Sequence, residues 1–230
     1  MKQPNLVLVR HGESLWNSKN VFTGWVDIGL SEKGRREAAN AGKILKKNGF
    51  VFDHTFASVL RRSIKTLWIM LEEMDQMSLP IEYSWRLNER HYGGLQGKNK
   101  ATAEQKYGHE QFMAWRRGYN EKPPAGDELS RKGQVPASVC GLKPNLMPNG
   151  ESLKDTVRRV VPYWMSAIRP ALRRGERVLV VAHGNSLRAL VKYLDGISDK
   201  EIVNFEIPTG VPLCYDIAAG RVLKSYFLKK

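Results

Sequence analysis

Arg177-Val178-Leu179-Val180-Val181-Ala182-His183-Gly184-Asn185 is the stretch on which the fold turns. Arg177 to Ala182 is the most strand-like run in the chain, apolar after the arginine and without polar alternation, as expected of a strand buried on both faces. Near the start, Asn5-Leu6-Val7-Leu8-Val9-Arg10-His11-Gly12-Glu13 repeats the pattern, an apolar run from Asn5 to Arg10 that finishes in a His-Gly pair. Outward from these two strands, apolar runs alternate with longer amphipathic segments. That alternation predicts an α/β fold with a mostly parallel central sheet and helices on both faces.

The remaining elements follow from caps and periodicity. Ser31 is placed to cap a helix through about Asn48, with Glu32 in its first turn and Gly49 ending it. Phe52 to Ala57 reads as a strand, and Ser58 as the cap of a helix whose Leu60, Ile64, Leu67, Leu71 and Met74 share one face. Ile81, Tyr83 and Trp85 alternate with polar residues as a further strand, followed by a mixed stretch from Arg86 to Arg117 with short helices near Ala103 and Glu110. Five prolines and five glycines among the 33 residues from Gly118 to Gly150 predict an irregular surface insertion in a single domain spanning residues 1–230. Ser152 with Asp155 resembles a capping box for a long helix ending near Arg174 and kinked at Pro162, with Val157, Val160, Val161, Trp164, Ile168 and Leu172 apolar. Ser186 to Asp195 is a helix, and Leu213–Ile217 and Val222–Leu228 read as paired edge strands around Gly220.

A chain of 230 residues with 42% hydrophobic content and six Trp can bury a sizeable core, which argues against a disordered or fibrous protein. Cys140 and Cys214 belong to no CxxC or Cys/His metal spacing, so neither a disulfide framework nor a zinc site is expected. Met1-Lys2-Gln3-Pro4-Asn5 stands too close to Arg10 to leave room for a signal-peptide core, and no apolar run approaches membrane-spanning length. A soluble, cytoplasmic protein is expected. The formal net charge of +14, from 37 Lys and Arg against 23 Asp and Glu, attracts polyanions: nucleic acid, anionic membrane or phosphorylated metabolite. The basic residues are spread along the chain without interleaved aromatics, which points away from nucleic acid. Lys46, Lys47, Lys229 and Lys230 read as solvated surface.

In open α/β sheets ligands bind beyond the carboxyl ends of the strands, so His11 and His183 can face one pocket. Gly12 and Gly184 let backbone approach a ligand, and Ser14 and Ser186 suit loop-to-helix turns whose amides favour anions. A single histidine at a strand end is more simply a hydrogen-bonded core residue. Here Arg10 adjoins His11, and Arg61 and Arg62 open a helix at the same sheet edge, where guanidinium forks match phosphate oxygens. Their charge disfavours imidazolium and keeps His11 neutral and nucleophilic, able to form a phosphohistidine that divides phosphoryl transfer into two displacements. His183 would donate a hydrogen bond to the phosphoryl oxygens in flight. Clustered arginines repel divalent cations and no HExxH pattern is present, so no metal is expected. Glu89, within Leu87-Asn88-Glu89-Arg90-His91-Tyr92-Gly93-Gly94, is the candidate general acid and base; the alternative for it is an ion pair with Arg90 or Arg62.

The segments LVRHGES, FTGWVDIGLSEKG, LNERHYGGLQGKNK, WRRG, AHGNSLRALVKYLDG and IPTGVPL resemble the histidine phosphatase superfamily and, within it, the cofactor-dependent phosphoglycerate mutases, over Leu6 to about Arg117 and Gly150 to Tyr215. The resemblance implies a phosphoglycerate mutase-like fold and a phosphorylated His11. It places Arg10, Arg62 and His183 in the phosphate pocket and makes Glu89 the proton donor and acceptor. Asn17, Thr23, Gly24, Tyr92, Lys100, Arg116, Arg117, Gly184 and Asn185 would hold the second phosphate or the carboxylate of a small phosphorylated sugar acid. The implied cofactor is 2,3-bisphosphoglycerate, which primes the histidine, and the implied reaction interconverts 3-phosphoglycerate and 2-phosphoglycerate in glycolysis and gluconeogenesis. It also implies a homodimer or higher homo-oligomer, for which Trp68, Ile69 and Tyr83 are candidate contacts.

Two departures bear on this. Glu121 to Asn149 does not resemble the corresponding family loop, and the chain stops at Lys230 where many relatives carry a tail over the site, so water is expected to compete for the phosphohistidine. A phosphatase with the same intermediate and a bisphosphoglycerate mutase or phosphatase are the alternatives on this fold. A non-catalytic basic polyanion-binding protein is the alternative of another class.

Overall fold

The structure, a computed structural model, describes residues 3–228, so the readings of Met1, Lys2, Lys229 and Lys230 lie outside the described residues. One sheet contains β1 (Leu6–Arg10), β2 (His54–Ala57), β3 (Ile81–Tyr83), β4 (Val178–Ala182), β5 (Leu213–Ala218) and β6 (Arg221–Phe227), in the order β3-β2-β4-β1-β5-β6. Pairs from β3 to β1 are parallel, whereas β5 meets β1 and β6 antiparallel. The helices are α1 (Leu15–Ser18), α2 (Glu32–Lys47), α3 (Arg61–Glu73), α4 (Lys100–Tyr107), α5 (His109–Arg117), α6 (Glu128–Arg131), α7 (Leu153–Tyr163), α8 (Arg169–Arg173) and α9 (Gly184–Leu194).

Alternate strand residues point to opposite faces, and both faces here are covered. Leu6, Leu8, Val178 and Val180 join the core under α7 and α9 with Val160, Leu187 and Leu190. Val7, Val9, Leu179 and Val181 join the core under α2 and α3 with Leu45, Leu67 and Met70. Each such side chain contributes roughly 1.5–3 kcal/mol by leaving water. The α/β architecture expected from the two apolar runs is the one observed. Register then positions the chemistry: Arg10 pairs with Ala182 and Ala57 with Val181. His11 and His183 therefore emerge side by side at one sheet edge, with Ser58 leaving the adjacent strand next to them.

Several local readings need correction. Ser58 does not cap α3, whose N-cap is Leu60 without a side-chain bond; the Ser58 hydroxyl lies 2.6 Å from His183 Nε2 and accepts the Leu60 N–H at 3.3 Å. Trp85 is not in β3 but in a short 3-10 turn closed by Ser84, which accepts from the Arg86 N–H. Helix α9 starts at Gly184, two residues earlier than Ser186, since Ser186 Oγ accepts the His183 N–H as a cap from inside the first turn. The long helix expected from Ser152 to about Arg174 is interrupted by a π turn over Trp164–Ile168, between Pro162 and Pro170, each of which withholds an N–H from the α register. β5 is second from the edge, so β6 alone is the edge strand on that side.

Residues 118–150 are largely irregular and mostly exposed, as expected, and are anchored to the core at a few points. Val135 and Cys140 are buried with Trp25 and Leu60, and Ser130 O accepts from Gln96 Nε2. The tight Gly93-Gly94 turn packs on Pro124 and Ala125, where a Cβ at Gly93 would lie 2.1 Å from Pro124 O. Trp68 and Tyr83 are 44% and 40% exposed and joined by a Trp68 Nε1–H to Tyr83 hydroxyl bond of 3.0 Å. Lys46 and Lys47 are exposed. Among the described residues no helix is long and apolar enough to cross a membrane.

Candidate active site

The two His-Gly corners meet with ring centroids 4.8 Å apart, edge to face. His11 Nδ1 lies 2.6 Å from the carbonyl oxygen of Gly12. A carbonyl only accepts, so Nδ1 carries the proton and Nε2 keeps its lone pair. Burial first, and then the Arg62 and Arg10 charges, hold the His11 pKa well below the ordinary imidazole value. At neutral pH the ring is an uncharged base with a free nitrogen. His183 is likewise buried and held well below the usual value, by burial and then by Arg62. Its Nε2 lies 2.6 Å from Ser58 Oγ, and its Nδ1 has no partner among the described residues.

Arg62, at the start of α3, is fully buried and donates to the carbonyls of Gly24 and Val26 at 2.7 and 2.9 Å. Burial lowers its pKa to about 10. Gly24 does not line the site cavity. Its φ of +54° makes the turn that presents its carbonyl to Arg62, and a Cβ there would lie 2.0 Å from Gln96 Oε1. Arg10 donates through Nη1 to Ile207 O, while its buried Nε is unpartnered.

Glu89 Oε1 accepts from the N–H groups of Arg90 and Asn185 and from Asn185 Nδ2, at 2.8, 3.1 and 2.9 Å. Among the described residues it forms no ion pair with Arg62 or Arg90. Glu89 Oε2 and the Arg10 guanidinium both crowd the bare Cα of Gly184, each within 3.6 Å of where a Cβ would sit. The Glu89 backbone is fixed by Arg159 and Trp25, which donate to its carbonyl. Arg159 is itself paired with Glu151 in a buried bridge whose other oxygen takes the His91 N–H.

A cavity of about 240 Å³ opens above these groups. Arg10, Asn17, Thr23, Glu89, Tyr92, Lys100, Arg116, Arg117, Gly184 and Asn185 line it, as expected. His11, His183 and Arg62 are buried and do not line it, though their chain neighbours Arg10 and Gly184 do. Lys100, opening α4, has its pKa lowered by burial. Five lining residues were not anticipated: Val21, Phe22 and Ile207, which are apolar, and Arg188 and Glu206, which are charged. Arg188, one turn along α9 from Gly184, is buried, donates to Asn185 Oδ1 and Arg117 O, and has its pKa lowered to about 10 by burial. Its signal was available in the four-residue spacing. Glu206 pairs with Arg117 at the rim. Around the cavity, buried polar atoms of Arg10, Thr23, Arg90, Arg188 and His183 have no hydrogen-bond partner among the described residues. Buried donors without acceptors are costly, and an anion with several oxygens satisfies them.

Phosphoryl transfer suits such a cavity, because it needs charge stabilisation around three oxygens and a neutral nucleophile beside them. The chain belongs to the histidine phosphatase superfamily (branch 1), whose family model matches residues 6–134 and 137–222. A candidate α-ribazole-5′-P phosphatase from Escherichia coli superposes with a TM-score of 0.72 at 22% identity, over 100% of this chain and 97% of that one. A mycobacterial glucosyl-3-phosphoglycerate phosphatase in complex with VO3 gives 0.71 at 22% identity, over 97% of each chain. Bacillus stearothermophilus YhfR gives 0.69 at 23% identity, over 94% of this chain and 93% of that one. At these identities the likeness is one of fold.

Proposed function

We propose that this protein is a phosphoglycerate mutase that interconverts 3-phosphoglycerate and 2-phosphoglycerate through a phosphohistidine at His11. The observation that carries this reading is the second cationic anchor. Lys100, Arg116 and Arg117 line the same cavity as Glu89 and Arg10. A substrate that must be held and re-phosphorylated needs its far carboxylate gripped as well as its phosphoryl group, and these three cations support that grip.

In this reading His11 Nε2 attacks phosphorus, the P–O bond to substrate breaks, and Glu89 delivers a proton to the departing oxygen. Arg10, Arg62 and His183 Nδ1–H stabilise the charge in flight. In the reverse half, Glu89 takes the proton of the acceptor hydroxyl, which attacks the phosphohistidine and frees His11. The donors at Arg10, Arg90, Arg188 and Thr23 fit 2,3-bisphosphoglycerate, whose contribution when bound is the priming phosphoryl group. No metal is needed in this scheme. The buried free thiols accord with a cytoplasmic setting, and the exposed Trp68–Tyr83 face supports self-association.

A phosphatase is the second reading, favoured by the structural neighbours, which include the mycobacterial glucosyl-3-phosphoglycerate phosphatase and the candidate α-ribazole-5′-P phosphatase. The two differ only in whether water or a substrate hydroxyl takes the phosphoryl group. Purified protein is given 3-phosphoglycerate in EDTA, with and without trace 2,3-bisphosphoglycerate, while 2-phosphoglycerate and inorganic phosphate are followed together. The mutase reading expects cofactor-stimulated isomerisation with little phosphate release; phosphate release without 2-phosphoglycerate establishes the phosphatase instead.

A further inference from the structure

At the other end of α9 from the active site a second cavity, of about 750 Å³, lies between the π turn, α8 and the β5–β6 turn. Its apolar wall includes Trp164, Leu172, Leu194 and Ile217, with the exposed ring of Tyr193 beside them. Arg169, Arg173 and Arg221 also line it, and no carboxylate does. None of the three belongs to an ion pair among the described residues, while the neighbouring Arg174 and Arg177 pair with Glu176 and Asp53. Arg169 and Arg173 stand four residues apart on one helix, where like charges repel. Arg169 Nε is buried without an acceptor, and its Nη1 reaches only the weak acceptor Met165 Sδ, at 3.3 Å. The turn makes room for this guanidinium at Gly220, where a Cβ would lie 3.1 Å from Arg169 Nη2.

Three unpaired guanidinium groups over an apolar wall are the complement of a particular ligand chemistry. We infer that this cavity is a second binding site, for a small organic anion that carries a flat aromatic body. Its phosphate, sulfonate or carboxylate meets Arg169, Arg173 and Arg221, and its ring covers the apolar wall beside Tyr193. The site is separate from the active-site cavity. The two open at opposite ends of α9, whose eleven residues span about 16 Å at 1.5 Å per residue.

The test uses the full chain and two fluorescent probes of the same shape, anilinonaphthalene sulfonate and the uncharged phenylnaphthylamine. The sulfonate is expected to bind saturably and about tenfold or more tighter than the neutral dye, since a charge-assisted contact is worth that factor. Arg169→Met with Arg221→Met should remove most of that preference, and the exposed Arg173→Met alone should reduce it about threefold without altering the melting temperature. Saturating 3-phosphoglycerate should leave the titration in place. Equal binding of the two dyes, an unchanged sulfonate affinity in a folded Arg173→Met variant, or displacement of the sulfonate by 3-phosphoglycerate would each overturn the inference.

Discussion

The first and second His-Gly corners are near copies in sequence and opposites in wiring. His11 ties down Nδ1 on the next carbonyl and leaves Nε2 bare. His183 ties down Nε2 on Ser58 and leaves Nδ1 bare. The same two residues at two parallel strand ends thus offer a lone pair from one ring and a place for a donor N–H on the other. The larger lesson is that the motif alone does not assign roles; the hydrogen-bond partner of the hidden nitrogen does. The most severe way to break the contrast is His11→Asn, expected to cut turnover by about 10³-fold or more and to abolish acid-labile phosphoprotein. Turnover near the wild-type rate would refute the nucleophile assignment. Next is His183→Ala, expected to cost about 10²–10³ in kcat, the worth of one preorganised donor, while labelled His11 still accumulates. Label recovered on His183 in the wild-type protein would reverse the two roles.

Ser58→Ala acts on the wiring itself. With the hydroxyl gone, His183 Nε2 and the Leu60 N–H lose their partner, so a loss of about 1–3 kcal/mol in stability is expected. A fall in kcat of about tenfold with KM little changed would mark a positioning role, as for outer-shell partners that orient a catalytic imidazole. A lowered melting temperature with intact kcat would leave Ser58 structural only.

Acid probes what the corners share. His11 and His183 have folded pKa values well below 6.5, and His91 is pushed down to about 4, in each case first by burial. Below about pH 6.5 the unfolded chain takes up protons that the folded one refuses, so stability is full above that pH and is lost as pH falls from 6.5 toward 4 and below. Each imbalanced imidazole adds a slope of up to about 1.4 kcal/mol per pH unit. Urea melts at pH 7.5 and 5.5 measure this, and His91→Gln should flatten the slope by up to one imidazole's share. Over the same range His11 stays neutral, so the nitrogen NMR shifts of its ring should show no titration near 6.5. A break there would mean that burial and the arginines do not hold the ring neutral.

What was legible in advance was what is written in adjacent residues. The buried strands show as unbroken apolar runs, the His-Gly corners and Arg10 follow from those strand ends, Glu89 from the polar stretch after Trp85, and Asn185 from the family resemblance. The partner of His183 was not legible, because Ser58 lies 125 residues away and its position before an amphipathic helix made capping the more obvious use. Arg188 was legible only through its four-residue spacing from Gly184, in a helix that also carries Asn185, Ser186 and Lys192. The Glu151–Arg159 bridge that holds the Glu89 backbone was invisible because its carbonyl partners, at Arg86, Asn88 and Glu89, come from a distant turn. Residues 118–150 carry no periodicity, and composition read them as the mostly exposed segment they are; what it left out is that Val135 and Cys140 are buried in one cluster with Trp25.

The smallest expected effect lies at the cavity rim, where Glu206 pairs with Arg117. Arg10 and Gly184 bring the two corners to the cavity lining, which the Arg117–Glu206 pair shares. The Glu206 side chain is 66% exposed, and exposed pairs are worth about 0–1 kcal/mol, so its carboxylate is a weak competitor for the arginine. If Arg117 grips substrate by its charge, Glu206→Gln removes that competitor and should lower the KM for phosphoglycerate by up to about fivefold with kcat unchanged. If Glu206 instead steers Arg117 into place, the same substitution raises KM. Only the first outcome makes the rim a charge-selective anchor independent of the histidines, and a KM that does not move at all would leave anchoring to Lys100 and Arg116.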